Sequence, residues 1–137
     1  IGKSPRLREG GDVAIAACGI MVGRALDAAE QLAADGIEAT VINVSTIKPI
    51  DTETLADAAR QTGAVVTAEE HEIHGGMGSA VAEALAQHCP VPIEMVGVRD
   101  TYGESGTPDE LLEKYGLTGE AVAEAARKAI SRRDAQS

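Results

Sequence analysis

Two rhythms of apolar positions alternate along this chain. Val13 to Cys18 is a continuous apolar run, the pattern of a strand covered on both faces. Past Cys18-Gly19-Ile20 the spacing changes. Met21, Ala25, Leu26, Ala29, Leu32 and Ala33 share one face of a helix, and Gly36 stands at its C-terminal stop. Ala39 to Val44 reads as a second strand. Lys48-Pro49-Ile50-Asp51 is a turn that places Asp51 to accept the free amide hydrogens of a helix from Thr52 to about Arg60, with Gly63 ending it. Ala64 to Ala68 is a third strand, followed by a polar, glycine-rich loop and a third helix running to about His88. Pro90 and Pro92 break the chain before a fourth strand, Ile93 to Val98. Thr107-Pro108-Asp109-Glu110 is a helix-start signal, and Gly116 ends that short helix. Thr118 caps the last one, whose apolar face is Val122, Ala125, Ala126, Ala129 and Ile130.

Strands that alternate with helices predict parallel pairing with helices over both faces. The fold expected is a three-layer α/β/α sandwich around a mostly parallel sheet of about four or five strands. Residues 1–11 are polar and carry Gly2, Pro5, Gly10 and Gly11, so they read as a linker leading into the domain. The domain itself is expected over 12–130, and the polar stretch 131–137 as a frayed tail.

Composition narrows the function. In 137 residues there is no Phe and no Trp, and the aromatic residues are Tyr102 and Tyr115, so the core must be aliphatic. Without aromatic platforms, single-stranded nucleic acid finds nothing to stack on. Twelve Lys and Arg against 22 Asp and Glu give a net charge of −10, which repels a phosphate backbone. No nucleic-acid partner is therefore expected. Cys18 and Cys89 form no CxxC motif and no disulfide framework, and both read as small core residues of a protein in a reducing cytosol. No apolar run approaches membrane-spanning length, no signal-peptide pattern stands at the start, and no membrane partner is expected. The chain starts at Ile1 rather than Met, as a processed piece or the tail of a longer protein would.

The loop after the third strand concentrates the reactive side chains. Glu69, Glu70, His71, Glu72 and His74 offer acid, base and ligand chemistry, and Gly75, Gly76 and Gly78 follow. The histidine spacing is H-E-x-H, not the H-E-x-x-H that sets two imidazoles one helical turn apart, so no metal residues are assigned. Gly75-Gly76-Met77-Gly78 is not the dinucleotide fingerprint, the first strand-helix loop lacks it too, and no acid follows the second strand. Open amides at that helix start would suit an anion. General acid-base work by His71 needs a partner surface to close a pocket. A second polar connection, Arg99 to Pro108, follows the fourth strand. Its Ser105 lacks a nucleophile elbow, and Arg99 beside Asp100 reads as a local ion pair or an interdomain contact. Catalytic and cofactor-binding residues are expected to be absent. The candidates for interdomain or anion contact are Glu69, Glu70, His71, Gly75, Gly76, Gly78, Arg99 and Asp100.

Several blocks together resemble the transketolase C-terminal domain. They are Arg8-Glu9-Gly10-Gly11-Asp12-Val13, Gly19-Ile20-Met21-Val22, Ile47-Lys48-Pro49-Ile50-Asp51, and Thr67-Ala68-Glu69-Glu70-His71 with Gly75-Gly76-Met77-Gly78-Ser79-Ala80. These are shared with the beta subunit of 2-oxoacid dehydrogenases and with deoxyxylulose-phosphate synthase. The last block, Tyr102-Gly103-Glu104-Ser105-Gly106-Thr107-Pro108 through Tyr115-Gly116-Leu117-Thr118, looks most like transketolase proper, with Tyr102 where Phe is expected. The resemblance runs from Leu7 to Ile130. It implies that one strand is antiparallel, which the spacing does not show.

It implies an enzyme that moves a two-carbon ketol unit between sugar phosphates with thiamine diphosphate and Mg²⁺. It also implies that the cofactor lies between a pyrophosphate-binding and a pyrimidine-binding domain, at a dimer interface. The family's diphosphate motif does not occur here, and no segment reads as the pyrimidine-binding domain with its catalytic glutamate. The chain alone is therefore expected to bind no cofactor and to be inactive. Its expected role is to pack on those domains, in the same chain or in a separate subunit of a split enzyme, and to support a homo-oligomer. The equivalent part of another thiamine enzyme and a free-standing anion- or nucleotide-binding module stand as alternatives.

Overall fold

A computed structural model describes residues 3–45, 49–72, 76–98, 113 and 116–136, with the side chains of residues 71 and 72 outside that description. The elements are β1 (Arg6–Arg8), β2 (Val13–Ala17), α1 (Met21–Ala34), β3 (Ala39–Asn43), α2 (Thr52–Thr62), β4 (Val65–Glu72), α3 (Met77–His88), β5 (Ile93–Val98) and α4 (Gly119–Ala135). The short helix predicted at Thr107 lies outside the described residues.

The sheet has five strands in the order β1-β3-β2-β4-β5. β2 is parallel to β3 and β4, β4 is parallel to β5, and β1 lies antiparallel on β3. The α/β sandwich with a mostly parallel sheet is thus as expected. β1 falls within residues 1–11, and at three residues it is too short for its alternation to show in the sequence. Its Arg6 and Arg8 place charge on a sheet edge, where further pairing is unwanted.

Alternation across the strands sorts the core into two layers. Val13, Ile15, Ala17, Val41 and Val66 face α1 and α4. Ala14, Ala16, Ile42, Val44 and Val65 face α2 and α3. Ile15 and Ile42 are fully buried on opposite faces, and each contributes about 1.5–3 kcal/mol. An exposed ion pair such as Arg127 with Glu124 contributes at most about 1 kcal/mol. The aliphatic layers therefore hold the sandwich. On α4 the buried stripe is Gly119, Val122, Ala123, Ala126 and Ala129. Ala125 and Ile130, read as part of that face, are half-buried beside it.

The stretch read as a frayed tail continues α4 to Ala135. The Arg133 guanidinium donates to the carbonyls of Asp12 (2.8 Å) and Thr62 (2.9 Å). Arg132 donates to the Ile93 carbonyl (3.0 Å) and Glu94 Oε2 (2.6 Å). Hydrophobicity gives no sign of these ties.

Candidate functional site

β2 lies between β3 and β4, and the chain leaves its end and that of β4 in opposite directions. The connection after β2 leads to α1 on one face, and the connection after β4 leads to α3 on the other. Such a topological switch point opens a crevice at the carboxyl ends of the strands. Cys18 and Gly19 stand at this end of β2, and Glu69 and Glu70 at this end of β4, Glu69 beneath the surface.

β4 runs four residues beyond the expected Ala68. Glu69 is fully buried. Its Oε1 accepts from the Met77 amide (2.8 Å) and its Oε2 from the Gly78 amide (2.6 Å). These are orphan donors of the first turn of α3, whose N-cap residue Gly76 offers no side chain. A carboxylate at a helix N-terminus also meets the positive end of the helix dipole. The helix start that could have served an incoming anion is thus supplied with charge by Glu69.

That arrangement requires a glycine in α3. A Cβ on Gly78 would stand 2.8 Å from Thr67 Oγ1 and 2.9 Å from Glu69 Oε2. Thr67 and Glu69, two apart on β4, face the same side as α3, and the bare Gly78 lets the helix start settle between them. The Thr67 hydroxyl is buried without a hydrogen-bond partner among the described residues.

Glu70 points to the opposite face. Its Oε1 comes within 2.5 Å of where a Cβ on Gly19 would stand, and Gly19 has φ +61. Backbone conformation disfavours a side chain at position 19, and one placed there would have to displace the Glu70 carboxylate. Next to it, burial pushes the Cys18 thiol up to about 11, and the charges of Glu69 and Glu70 add to the shift. A thiol so placed stays neutral at physiological pH and is a poor nucleophile.

Of the predicted candidates, Glu69, Glu70, Gly76 and Gly78 gather at this crevice. The side chain of His71 and residues Gly75, Arg99 and Asp100 lie outside the described residues. Cys18, Gly19 and Thr67 belong to the same cluster and were missed as site residues. Their signal in the sequence is faint: a threonine and a glutamate two apart in an otherwise buried strand, facing a glycine one turn into the next helix. A separate open groove, bordered by Ile50 ahead of α2, Thr52 at its start and Ala80, Glu83, Ala84, Gln87 and His88 of α3, holds none of the candidates.

A mostly parallel sheet in this strand order, with its switch point between β2 and β4, defines an α/β domain of the doubly wound class. The family described as "Transketolase, C-terminal domain" matches residues 2–122, and the chain belongs to it. Among curated proteins, it is 54% identical over 134 residues to the 6-deoxy-6-sulfo-D-fructose transketolase subunit SqwH of Clostridium sp. (strain MSTE9). That match covers 98% of this chain and 42% of the relative. It is 46% identical to the 1-deoxy-D-xylulose-5-phosphate synthase of Heliobacterium modesticaldum (strain ATCC 51547 / Ice1), over 93% of this chain and 20% of that protein. The chain thus spans less than half the length of these relatives.

Among solved structures, one described as "Split gene transketolase, inactive beta4 tetramer" superposes with a TM-score of 0.93 at 54% identity, covering 96% of this chain and 43% of that one. A Pichia stipitis transketolase in complex with sedoheptulose 7-phosphate shares the fold, with a TM-score of 0.74 at 21% identity, covering 98% of this chain and 19% of that one.

The residues at the crevice do not fit thiamine diphosphate. The Met77 and Gly78 amides that a diphosphate would use donate to Glu69, and the adjoining carboxylates repel a second anion. Among the described residues no group of three or more His, Cys, Asp and Glu is placed to hold a metal ion. No helix among them is long and apolar enough to cross a membrane.

Proposed function

We propose that this chain is the C-terminal part of a thiamine diphosphate-dependent transketolase, and that the complete enzyme transfers a two-carbon ketol unit between sugar phosphates in the cytoplasm. The observation that carries this reading is the 54% identity, over 98% of the chain, to a protein named as a transketolase subunit. In this reading the pyrophosphate- and pyrimidine-binding domains are supplied by the rest of the enzyme, in the same polypeptide or in a separate subunit. Thiamine diphosphate and Mg²⁺ are held by those domains. This domain supports them by docking, and it adds to the contact of a homo-oligomer.

The docking edge is the end of β4 with the loop that follows, Glu70, His71, Gly75 and Gly76, together with Arg99 and Asp100. Glu69 and Gly78 act beneath it as its internal brace. Charge supports this assignment: the Glu70 carboxylate at the end of β4, with Glu69 beneath it, suits a basic group on a protein surface better than a diphosphate.

The test uses the full-length gene product with its partner subunit, thiamine diphosphate and Mg²⁺. Ketol transfer is followed with fructose 6-phosphate and with 6-deoxy-6-sulfo-D-fructose as donors, the second because the relative's name specifies it. Transfer from either donor supports the reading. Calorimetry on this chain alone should show no heat with the cofactor and Mg²⁺, and saturable binding there overturns the domain assignment. Glu70→Ala and His71→Ala should weaken assembly or activity; wild-type behaviour of both removes the loop from the docking edge. A second reading, deoxyxylulose-phosphate synthase, is favoured by the 46% identity to that enzyme. Consumption of pyruvate in place of a ketose donor identifies it.

A further inference from the structure

Asp51 does more than start a helix. Its Oδ1 accepts from the Thr54 amide at 3.1 Å, an ordinary N-cap bond. Its Oδ2 accepts from the Thr54 hydroxyl at 2.6 Å and from the backbone N–H of Ser4 at 2.7 Å, 47 positions away in the chain. Ser4 is buried between two exposed neighbours, Lys3 and Pro5. Hydrogen bonds to a carboxylate are among the strong ones, and this one is sheltered.

Two more ties act on the same segment. The Asn43 amide of β3 donates to the Pro5 carbonyl at 3.0 Å. The Arg6 guanidinium donates to Gln61 Oε1, in the last turn of α2, at 3.0 Å. The segment is therefore held by α2 near both ends of that helix. Capping alone needs one acceptor oxygen, and Ser, Thr or Asn would supply it. Two oxygens serving two elements is what a carboxylate adds.

We infer that Asp51 is a positioning residue that locks the segment Lys3–Pro5 onto the start of α2, and so fixes the direction from which the polypeptide ahead of β1 approaches the sheet. β1 has three residues and cannot set that direction by pairing alone. The anchoring stands on the hydrogen bonds. Its consequence rests on the proposed function, because a domain preceding β1 inherits the direction and is thereby placed against the rest of the enzyme.

Two variants of the full-length gene product release Ser4 from opposite sides. Ser4→Pro removes the donor and leaves Asp51 on Thr54. Asp51→Ser keeps a capping oxygen for α2 and gives up the second acceptor. In both, amide exchange over residues 3–8 should rise about tenfold, while α2 stays protected in Ser4→Pro. With the assembled enzyme, kcat should fall about tenfold in both, since small misplacements far from the chemistry are costly. The double variant should be no worse than the worse single one, as expected when both cut the same tie.

Unchanged exchange over residues 3–8 in either variant overturns the anchoring. Raised exchange with unchanged kcat overturns the positioning role. A wild-type enzyme without ketol transfer instead refutes the proposed function, and exchange over residues 3–8 still decides the anchoring.

Discussion

Glu69 and Asp51 do the same chemical job in two different ways. Each is a buried carboxylate that accepts amide hydrogens from the first turn of a helix. Asp51 stands immediately before its helix and caps it through Thr54, three residues on. Glu69 lies on a strand and reaches forward eight and nine residues to a helix that begins with no cap of its own. The capping half of the first arrangement is local, and any short polar side chain would supply it; only the bond to Ser4 calls for the second oxygen. The Glu69 arrangement exists only when strand, loop and helix are assembled, so it ties folding of the strand end to folding of the helix. A local cap thus stabilises an element, whereas a non-local one specifies how two elements meet.

The largest test of that contrast is Glu69→Ala. It strands two buried amides and leaves a void, at an expected cost of about 2–6 kcal/mol. Urea unfolding of this domain should show a midpoint shift to match. A loss below about 1 kcal/mol, within reach of an ordinary cap, would erase the distinction.

Gly78→Ala probes the same joint from the helix side. Alanine favours a helix over glycine by about 0.8–1.0 kcal/mol. The new Cβ would press on Thr67 Oγ1 and Glu69 Oε2, and such overpacking costs about 1–3 kcal/mol. Destabilisation should win. Coupling with Glu69→Gln in a double-mutant cycle locates the strain at the carboxylate, and additive effects would place it elsewhere.

Asp51→Ala should cost less, about 1–2 kcal/mol, and the cost should depend on pH. Burial by itself raises the carboxyl pKa. The bonds from Thr54 and Ser4 and the charge of Lys3 outweigh it, holding the group below 3.8. A carboxyl lowered by folding contributes its stability above the unfolded pKa and loses it as pH falls through the folded value. The difference in melting temperature between wild type and Asp51→Ala should hold at neutral pH and shrink below pH 3.8. A gap that stays constant through that range shows that the charge contributes nothing and that an uncharged cap would serve.

What the sequence revealed follows the same line between local and non-local. The layers, most strand and helix positions and the Asp51 and Thr118 caps were legible, because periodicity and capping act over a few residues. The loop after β4 was legible as a place of interest. The brace beneath it was not, because nothing local links Glu69 to Met77 and Gly78 until β4 and α3 lie side by side. For the same reason nothing local singles out Gly19, although the Glu70 carboxylate stands where a side chain there would go. The N-terminal segment read as a linker, yet Asp51 holds Ser4 and β3 pairs with β1. Arg133 sits in a polar tail, and its value lies in two carbonyls far away in sequence.

The smallest predicted effect separates a brace from a wider polar network. Thr67 Oγ1 is buried without a partner among the described residues, beside the Glu69 carboxylate across the Gly78 backbone. If Glu69 serves α3 alone, the hydroxyl is a burden. Thr67→Val keeps the branched shape, removes an unsatisfied polar atom and should raise stability by up to about 1 kcal/mol. Destabilisation by a similar amount would mean that the hydroxyl is bonded after all, as a donor within a polar cluster running from β4 toward the docking edge. Glu69 would then belong to a cooperative network rather than a single joint, and the contrast with Asp51 would become one of connectivity rather than of sequence distance.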